Sequence, residues 1–525
     1  MKKRKTADFL TPSFPPVDTE QPPEQDSADL SDNSPSPFCG GKVPELTDDL
    51  EQNIKIFSGI FKDDEGLVIR RVCSAGKMPL RFAIIFMESM TDDSAVSQDI
   101  IKSIVSTRCD IRLYGDEILA AVAKNAIFAS DMKAEKDMSK AVNSLLAGNS
   151  LILADGCSSV LTADTKGYEK RSVSEPENEK LLRGPRDGFT ESISTNISLI
   201  RRRLTTVDLK VKFFTFGTET NTKAAVVYLD SVTDMHILAQ LYRRLDKIEM
   251  KGGFDSSFLE DQIKDTPSAP FSTVGTTERP DTVAGKLMEG RIAIIINGSP
   301  TVLTVPFLFE ENFRSNEDYY LNFYFANIGR FLRILSFFGS ISIPAIFTAL
   351  LTFHKQMMPT NLTMSILSAR DGVPFPVIIE CIAMLFVFQL LRETATRMPG
   401  TISQTLSIVG SLVIGDAAVS ARFVSAPMII IVAITSMMGL MNPKLKSVQL
   451  TYRIVFLVLS GLLGLYGYLL GIMFMTVQLL SIRSFGVPYV RGTNDSGKPA
   501  FYDLIVRGPW RNAKDEVPVR IPENR

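Results

Sequence analysis

The stretch NIGRFLRILSFFGSISIPAIFTALLTF, residues 327–353, decides the fold class, because after Arg333 it runs uncharged to its end and is long enough, as a helix, to cross about 30 Å of hydrocarbon. Four more apolar runs follow it, at 373–391, 402–420, 423–441 and 454–480. The residues before about 326 have the balance of a soluble protein, so the slightly positive mean hydropathy comes from the C-terminal part. The expected architecture is a mixed α/β domain with two subdomains, followed by an α-helical membrane bundle.

Charge fixes the orientation. The opening MKKRKTADFL is basic with no apolar run behind it and does not read as a signal peptide, so the soluble part is expected in the cytoplasm. Beyond Ile482 come Arg483, Arg491, Lys498, Arg507, Arg511, Lys514, Arg520 and Arg525, which place the tail on the same side. Five spans would put the two ends on opposite faces. The weakest candidate, 373–391, begins with Pro374 and Pro376 and holds Glu380, so it is expected to be re-entrant or interfacial, leaving four spans. In 454–480, Gly461, Gly464, Gly467 and Gly471 offer a small-residue face for close helix contact.

Working outward, residues 1–44 are polar and proline-rich and read as a disordered extension, whose cluster Lys2 to Lys5 either touches an anionic leaflet or is simply solvated. A first α/β subdomain is expected over 45–175 and a second over 176–325, with the membrane part at 326–481 and a basic tail at 482–525. FAIIFMES at 82–89 reads as a buried strand, and LILADG and SSVLTADT as strands joined at Gly156. KVKFFTFGT and KAAVVYLD read as strands, DMHILAQLYRRLDKI as an amphipathic helix, and GRIAIIINGSPTVLTVPFLFEENF as a hairpin turning at Asn297 and Gly298. The charged segment 168–189 reads as an extended crossover. A helix from Phe189 ends in Arg201, Arg202 and Arg203, which either complement the helix C-terminus or pair with acids of a neighbouring protomer.

Several function classes fall away. A net charge of -1 gives no nucleic-acid signature, and two histidines, His236 and His354, exclude a histidine-rich metal site. The five cysteines show no CxxC. No phosphate-binding glycine loop and no nucleophile with a base stands out, so neither a cofactor nor an enzyme is expected. A secondary transporter is disfavoured because the segments are few and show no inverted repeat. Within 402–420, Ser403, Ser407, Gly410 and Ser411 form a small polar stripe beside Val409 and Val413, with Asp416 further along. Such a stripe either packs against another helix or, in several copies around an axis, lines a pore gated by apolar rings. Glu380 either pairs with Arg392 or Arg397 or faces a conduit, and Asp416 likewise either pairs with Arg422 or faces one.

Four blocks carry a resemblance: RSVSEPENEKLLRGPRDGFTESISTNISLIRRRL at 171–204, TERPDTVAGKLMEGRIAIIINGSPTVLTVPFLF at 277–309, RETATRMPG at 392–400 and IVGSLVIGDAAVSARFVSAPMIIIVAIT at 408–435, continued by GVPYVRG from 486. Together they resemble the A subunit of the GerA-type spore germination receptors. The resemblance implies a multi-pass inner-membrane protein of the spore, working with a transporter-like B subunit that binds the germinant and a C-subunit lipoprotein. It further implies a homo-oligomeric ring in the membrane lipids that conducts cations; the alternative is a non-conducting scaffold that relays a signal from the B subunit. The positions it marks are Glu175, Pro176, Gly184, Pro185, Arg186, Glu191, Arg201, Arg202 and Arg203, then Glu278, Arg279, Pro280 and Asp281, then Glu380, Arg392, Glu393, Arg397 and Pro399. They read as rigid turns and ion-pair anchors. The chain departs from the family at Thr394, Ala395 and Thr396, where Glu-Ala-Gly is common, and at Arg422, where many members have a small residue.

Overall fold

The computed structural model of the chain describes residues 44–490 apart from 76–78, 107–114, 126–131, 168–174, 177–178, 182, 250, 254, 268, 398–409 and 411. The helix α1 (Leu50–Ile60) starts at Asp49, whose carboxylate caps the Glu51 amide, and buries Leu50, Ile54 and Phe57 along one stripe. The strands β1 (Leu67–Cys73), β2 (Arg81–Met87), β3 (Met132–Glu135), β4 (Ser150–Ala154) and β5 (Val160–Ala163) form an antiparallel sheet in the order β1-β2-β4-β5-β3. Both faces of β2 and β4 are buried, because α1 and α4 (Met138–Leu146) cover one side while α2 (Lys102–Ser106) and α3 (Glu117–Asn125) cover the other. That double burial explains why FAIIFM is continuously apolar rather than alternating.

The second unit repeats the first. After α5 (Ile193–Arg201), the strands β6 (Leu209–Phe216), β7 (Thr222–Leu229), β8 (Gly275–Thr277), β9 (Ile292–Ile296) and β10 (Val302–Val305) pair in the order β6-β7-β9-β10-β8. The helices α6 (Met235–Leu245), α7 (Ser256–Ile263) and α8 (Pro280–Met288) occupy matching places. Met138 and Pro280, Ser150 and Ile292, and Val160 and Val302 open corresponding elements, each pair 142 positions apart. Even the entry to the first helix recurs. Asn53 donates to the Thr47 carbonyl at 2.6 Å and accepts from its amide at 2.9 Å, while Asn196 does the same with Thr190 at 2.6 and 2.7 Å. The two units meet through Arg201, which reaches both carboxylate oxygens of buried Asp64 at 2.8 Å.

The short helix α9 (Glu317–Tyr320) leads into α10 (Phe323–Thr352), followed by α11 (Thr360–Ala369), α12 (Val377–Arg397), α13 (412–420), α14 (Ala426–Leu440), α15 (Lys446–Leu463) and α16 (Leu465–Ser481). Contacts fix their directions. Asn442, just before α15, bonds the Arg333 carbonyl at 2.7 Å, and Arg453 bonds the Ser340 carbonyl at 2.9 Å, so α15 runs parallel to α10. Met438 packs on Gly339, Ile378 on Gly461, and Arg392 bonds the Ser436 carbonyl, so α12 and α14 run the opposite way.

The four-span arrangement expected from sequence does not form. Residues 454–480 are not one span, because Gly464 takes φ +64° and folds α16 back along α15. Tyr452 and Gln478 are joined at 2.6 Å across this hairpin. Residues 373–391, expected to be re-entrant or interfacial, lie largely in α12, a continuous helix of 21 residues. Phe323–Thr352 and Pro443–Leu463 are long and apolar enough to cross a membrane, while Ala426–Leu440 and Leu465–Ser481 are apolar but shorter.

After α16 the chain returns to the second unit. β11 (Arg483–Ser484) and β12 (Val487–Pro488) place Phe485 and Val487 in the core between the second sheet and α6. Whatever number of helices crosses a bilayer between Tyr320 and Ile482 is therefore even.

A Cβ on Gly467 would lie 2.0 Å from the Leu459 carbonyl oxygen, whereas one on Gly59, near the end of α1, meets nothing within 4 Å. Gly59→Ala should raise stability by about 0.5–1 kcal/mol, and Gly467→Ala should lower it, as read by thermal unfolding of the full chain in detergent.

A candidate signalling junction between the soluble units and the helices

The crossover 168–189 has no helix or strand among its described residues, so its order comes from the second unit. Arg279 ends the turn before α8 and is 1 % exposed. Its Nε and Nη2 hold Asp281 at 3.1 and 3.0 Å, Nη1 reaches the Glu179 carbonyl at 3.3 Å, and Nη2 also reaches the Pro185 carbonyl at 2.7 Å. One planar fork thus pins the crossover to α8, a geometry an ammonium group cannot copy. On the other side of Asp281, the Tyr320 hydroxyl donates at 2.8 Å, and its ring packs on Gly184. Burial and the bond to Asp281 push the Tyr320 hydroxyl up to about 12.

Three further pairs complete the junction. Glu179 meets Lys444, from the turn between α14 and α15, at 3.0 Å, and accepts from the Thr277 hydroxyl at 2.6 Å and the Glu278 amide at 3.1 Å. Burial opposes ionisation of Glu179, but Lys444 and Thr277 outweigh it and hold its pKa down. Asp318, 2 % exposed, pairs with Arg330 at 3.1 Å and with Arg333, both on α10. Glu311 is buried between Arg291 and Lys286; the loss of water disfavours its charge, yet the two cations hold its pKa at about 2. Around these residues lies a cleft of about 710 Å³ bounded by α8, α9, the start of α10 and the turn at Asn442 to Lys444.

The structure gathers Gly184, Pro185, Arg203, Glu278, Arg279, Pro280 and Asp281 here, with Arg203 bonded to Asp187 at 2.5 Å. Arg201 lies apart, at the contact between units, and Arg202 and Arg186 are exposed. The acids that Arg201 and Arg203 meet belong to this chain. Pro176 is buried, Glu175 half-buried, and the Glu191 carbonyl accepts from the Gly298 amide at 2.7 Å. Glu380, at the opposite end of the bundle, pairs with Arg370 at 3.3 Å and accepts from the Ser425 amide and hydroxyl at 2.6 Å, not from Arg392 or Arg397. Arg397 pairs instead with Glu393 at 2.8 Å, and Arg422 packs on Gly372. Gly410 is half-buried and Val413 and Asp416 are exposed, while Pro399, Ser403, Ser407, Val409 and Ser411 lie outside the described residues.

Sequence reasoning missed Glu179, Lys286, Glu311, Asp318, Tyr320 and Lys444. Lys444, a charge in a short turn between apolar runs, was the one visible signal. Among the described residues no group of three His, Cys, Asp or Glu is placed to hold a metal ion.

Arg279→Ala leaves Asp281 buried without its partner and should cost about 3–5 kcal/mol, with Arg279→Lys recovering only part, measured by thermal unfolding of the full chain. Glu311 has a folded pKa below its ordinary 4.5, so its stabilisation is complete above about pH 4.5 and is lost as pH falls toward 2. Glu311→Gln should lower stability at neutral pH and flatten this part of the acid limb in a pH series.

Residues 55–518 match the family described as Bacillus/Clostridium GerA spore germination protein. The chain is 39 % identical over 447 residues to spore germination protein KA of Bacillus subtilis, covering 85 % of this chain and 81 % of that one. It is 32 % identical over 482 residues to spore germination protein GerLA of Bacillus cereus, covering 90 % and 96 %. The crystal structure of the N-terminal domain of the A subunit of the Bacillus megaterium spore germinant receptor GerK3 aligns with a TM-score of 0.40 at 26 % identity, covering 51 % of this chain and 99 % of that one. With nearly the whole length matched across both soluble units and the helical bundle, the chain belongs to the GerA family of spore germination proteins and, within it, to the A-subunit type.

Proposed function

We propose that this chain is the signalling A subunit of a nutrient germinant receptor in the spore inner membrane, that its soluble units face the cytoplasm, and that copies of it assemble into a ring that conducts cations. Family membership supports the germination role, with two partners, a transporter-like B subunit plus a lipoprotein C subunit. The observation that carries conduction is α13. Leu412 is 71 % exposed and Val413 57 %, and Asp416 is exposed on the same helix. A carboxylate on a helix in a membrane bundle needs water or protein beside it, so the uncovered face of α13 calls for a neighbouring copy, a water-filled lumen or both. Val413 then supplies an apolar ring and Asp416, one short turn on, a ring of negative charge that favours cations.

The junction gives the second reading. Arg279, Asp281 and Tyr320 couple the crossover to the helix entering the bundle, and such a coupling also serves a non-conducting relay. Ion release from potassium-loaded liposomes holding this chain with its B and C partners separates the two. Conduction predicts germinant-dependent release, a raised resting leak in Val413→Ser and weakened cation preference in Asp416→Asn. Verified assembly and germinant binding with no flux would leave the relay.

A further inference from the structure

Two arginines sit inside the helical bundle with no carboxylate beside them among the described residues. Arg453 of α15, 6 % exposed, donates from Nε to the Ser340 carbonyl at 2.9 Å, and half-buried Arg392 of α12 donates from Nη2 to the Ser436 carbonyl at 3.0 Å. The titratable groups facing Arg453 are Arg392 and the Cys381 thiol. Neither arginine forms an ion pair among the described residues, and residues 398–409 contain no Asp or Glu.

Between them passes Gly439 of α14. A Cβ at that glycine would stand 3.2 Å from Nη2 of Arg453 and 3.7 Å from Nη2 of Arg392, so both guanidinium groups reach one small volume. Gln449 enters it too: its Oε1 lies 3.4 Å from the same point, and its Nε2, on a side chain 2 % exposed, is buried with no hydrogen-bond partner. The donors outnumber the acceptors.

A guanidinium does not escape burial by losing its proton, and two of them close together repel strongly where the dielectric is low. Their counter-charge has to come from outside the described chain. We propose that Arg392, Arg453 and Gln449 form a binding site for a small anionic group of single charge, seated between α12, α14 and α15 where Gly439 leaves room. Turning the Gln449 amide end for end brings its unsatisfied Nε2 into the site as a further donor; which end faces inward is set by what the site holds. The chemistry fits an inorganic anion such as chloride and equally a lipid phosphate. Occupancy ties together three helices at the level where the bundle approaches the soluble units, independently of whether α13 lines a pore.

The test is thermal unfolding of the full-length chain in two arms. In lipid-free detergent, chloride is exchanged for gluconate at constant ionic strength; in chloride-free nanodiscs, phosphatidylglycerol is compared with phosphatidylcholine. Chloride, phosphatidylglycerol or both should raise the melting temperature by several degrees, saturably for chloride. Arg392→Gln and Arg453→Gln should remove the shift. Gly439→Ala should remove it as well while keeping both charges, because its methyl fills the seat, and it decides the matter if the arginine variants fail to fold. A shift in the first arm assigns an inorganic anion and one confined to the second a lipid phosphate. The proposal is overturned if neither arm moves the wild type more than Gly439→Ala.

Discussion

The return of the chain to its own soluble domain is the constraint on which the rest of the structure depends. Ser484 is wholly buried; its hydroxyl donates to the Thr273 carbonyl at 2.7 Å and accepts from the Phe307 amide at 3.1 Å. The Phe485 amide donates to Asp265 at 2.7 Å, and Arg244, which pairs with Asp265, lies 4.2 Å over the Phe485 ring. With Phe485 and Val487 in the core of the second unit, the last helix must end where the first began. That closure makes the number of crossings even, and the contacts give the alternation: α10, α13 and α15 run away from the soluble units, and α12, α14 and α16 run back.

Closure also explains the charge at the junction. A bundle held at both ends of its chain meets the second unit over a wide contact, and purely apolar packing there would tolerate sliding. Arg279, Glu311 and Asp318 each need fixed partners, since a buried charge that loses its partner is costly. The cost is met only when the crossover, α8 and α10 hold one relative position. The ion pairs therefore specify register more than they add stability.

Much of this was legible in sequence wherever local chemistry decides the outcome. Asn297 and Gly298 turn the hairpin of β9 and β10, and the uncharged run after Arg333 becomes a long helix. Legibility failed where a distant contact decides. Gly464 sits in an apolar run that reads as one span, and the hairpin shows only in its positive φ and in contacts across the turn, Tyr452 with Gln478 and Leu459 with Gly467. Glu380 chose Arg370, ten residues earlier and across a turn, over the arginines of its own helix. Between the amphipathic helix and the hairpin, α7 and β8 escaped the sequence reading because their apolar faces are short. The duplication was in plain view, as GCSSVLT at 156–162 and GSPTVLT at 298–304, but the spacing is too long for a pattern of one element to reveal.

The duplication also isolates what the second unit gained. At the start of α4 the first unit keeps Asp137, whose carboxylate caps the Ser139 amide at 2.9 Å. The same two positions in the second unit are Arg279 and Asp281, and there the side-chain cap is gone, with Pro280 opening the helix instead. A lost cap of this kind costs about 1 kcal/mol. Proline recovers part of that by removing an amide that would otherwise lack a partner. What the exchange yields is a guanidinium free to bind the crossover and a carboxylate free to hold Tyr320. Of two copies of one fold, the copy whose helix entry holds the crossover and Tyr320 lacks the side-chain cap, while the first unit has it.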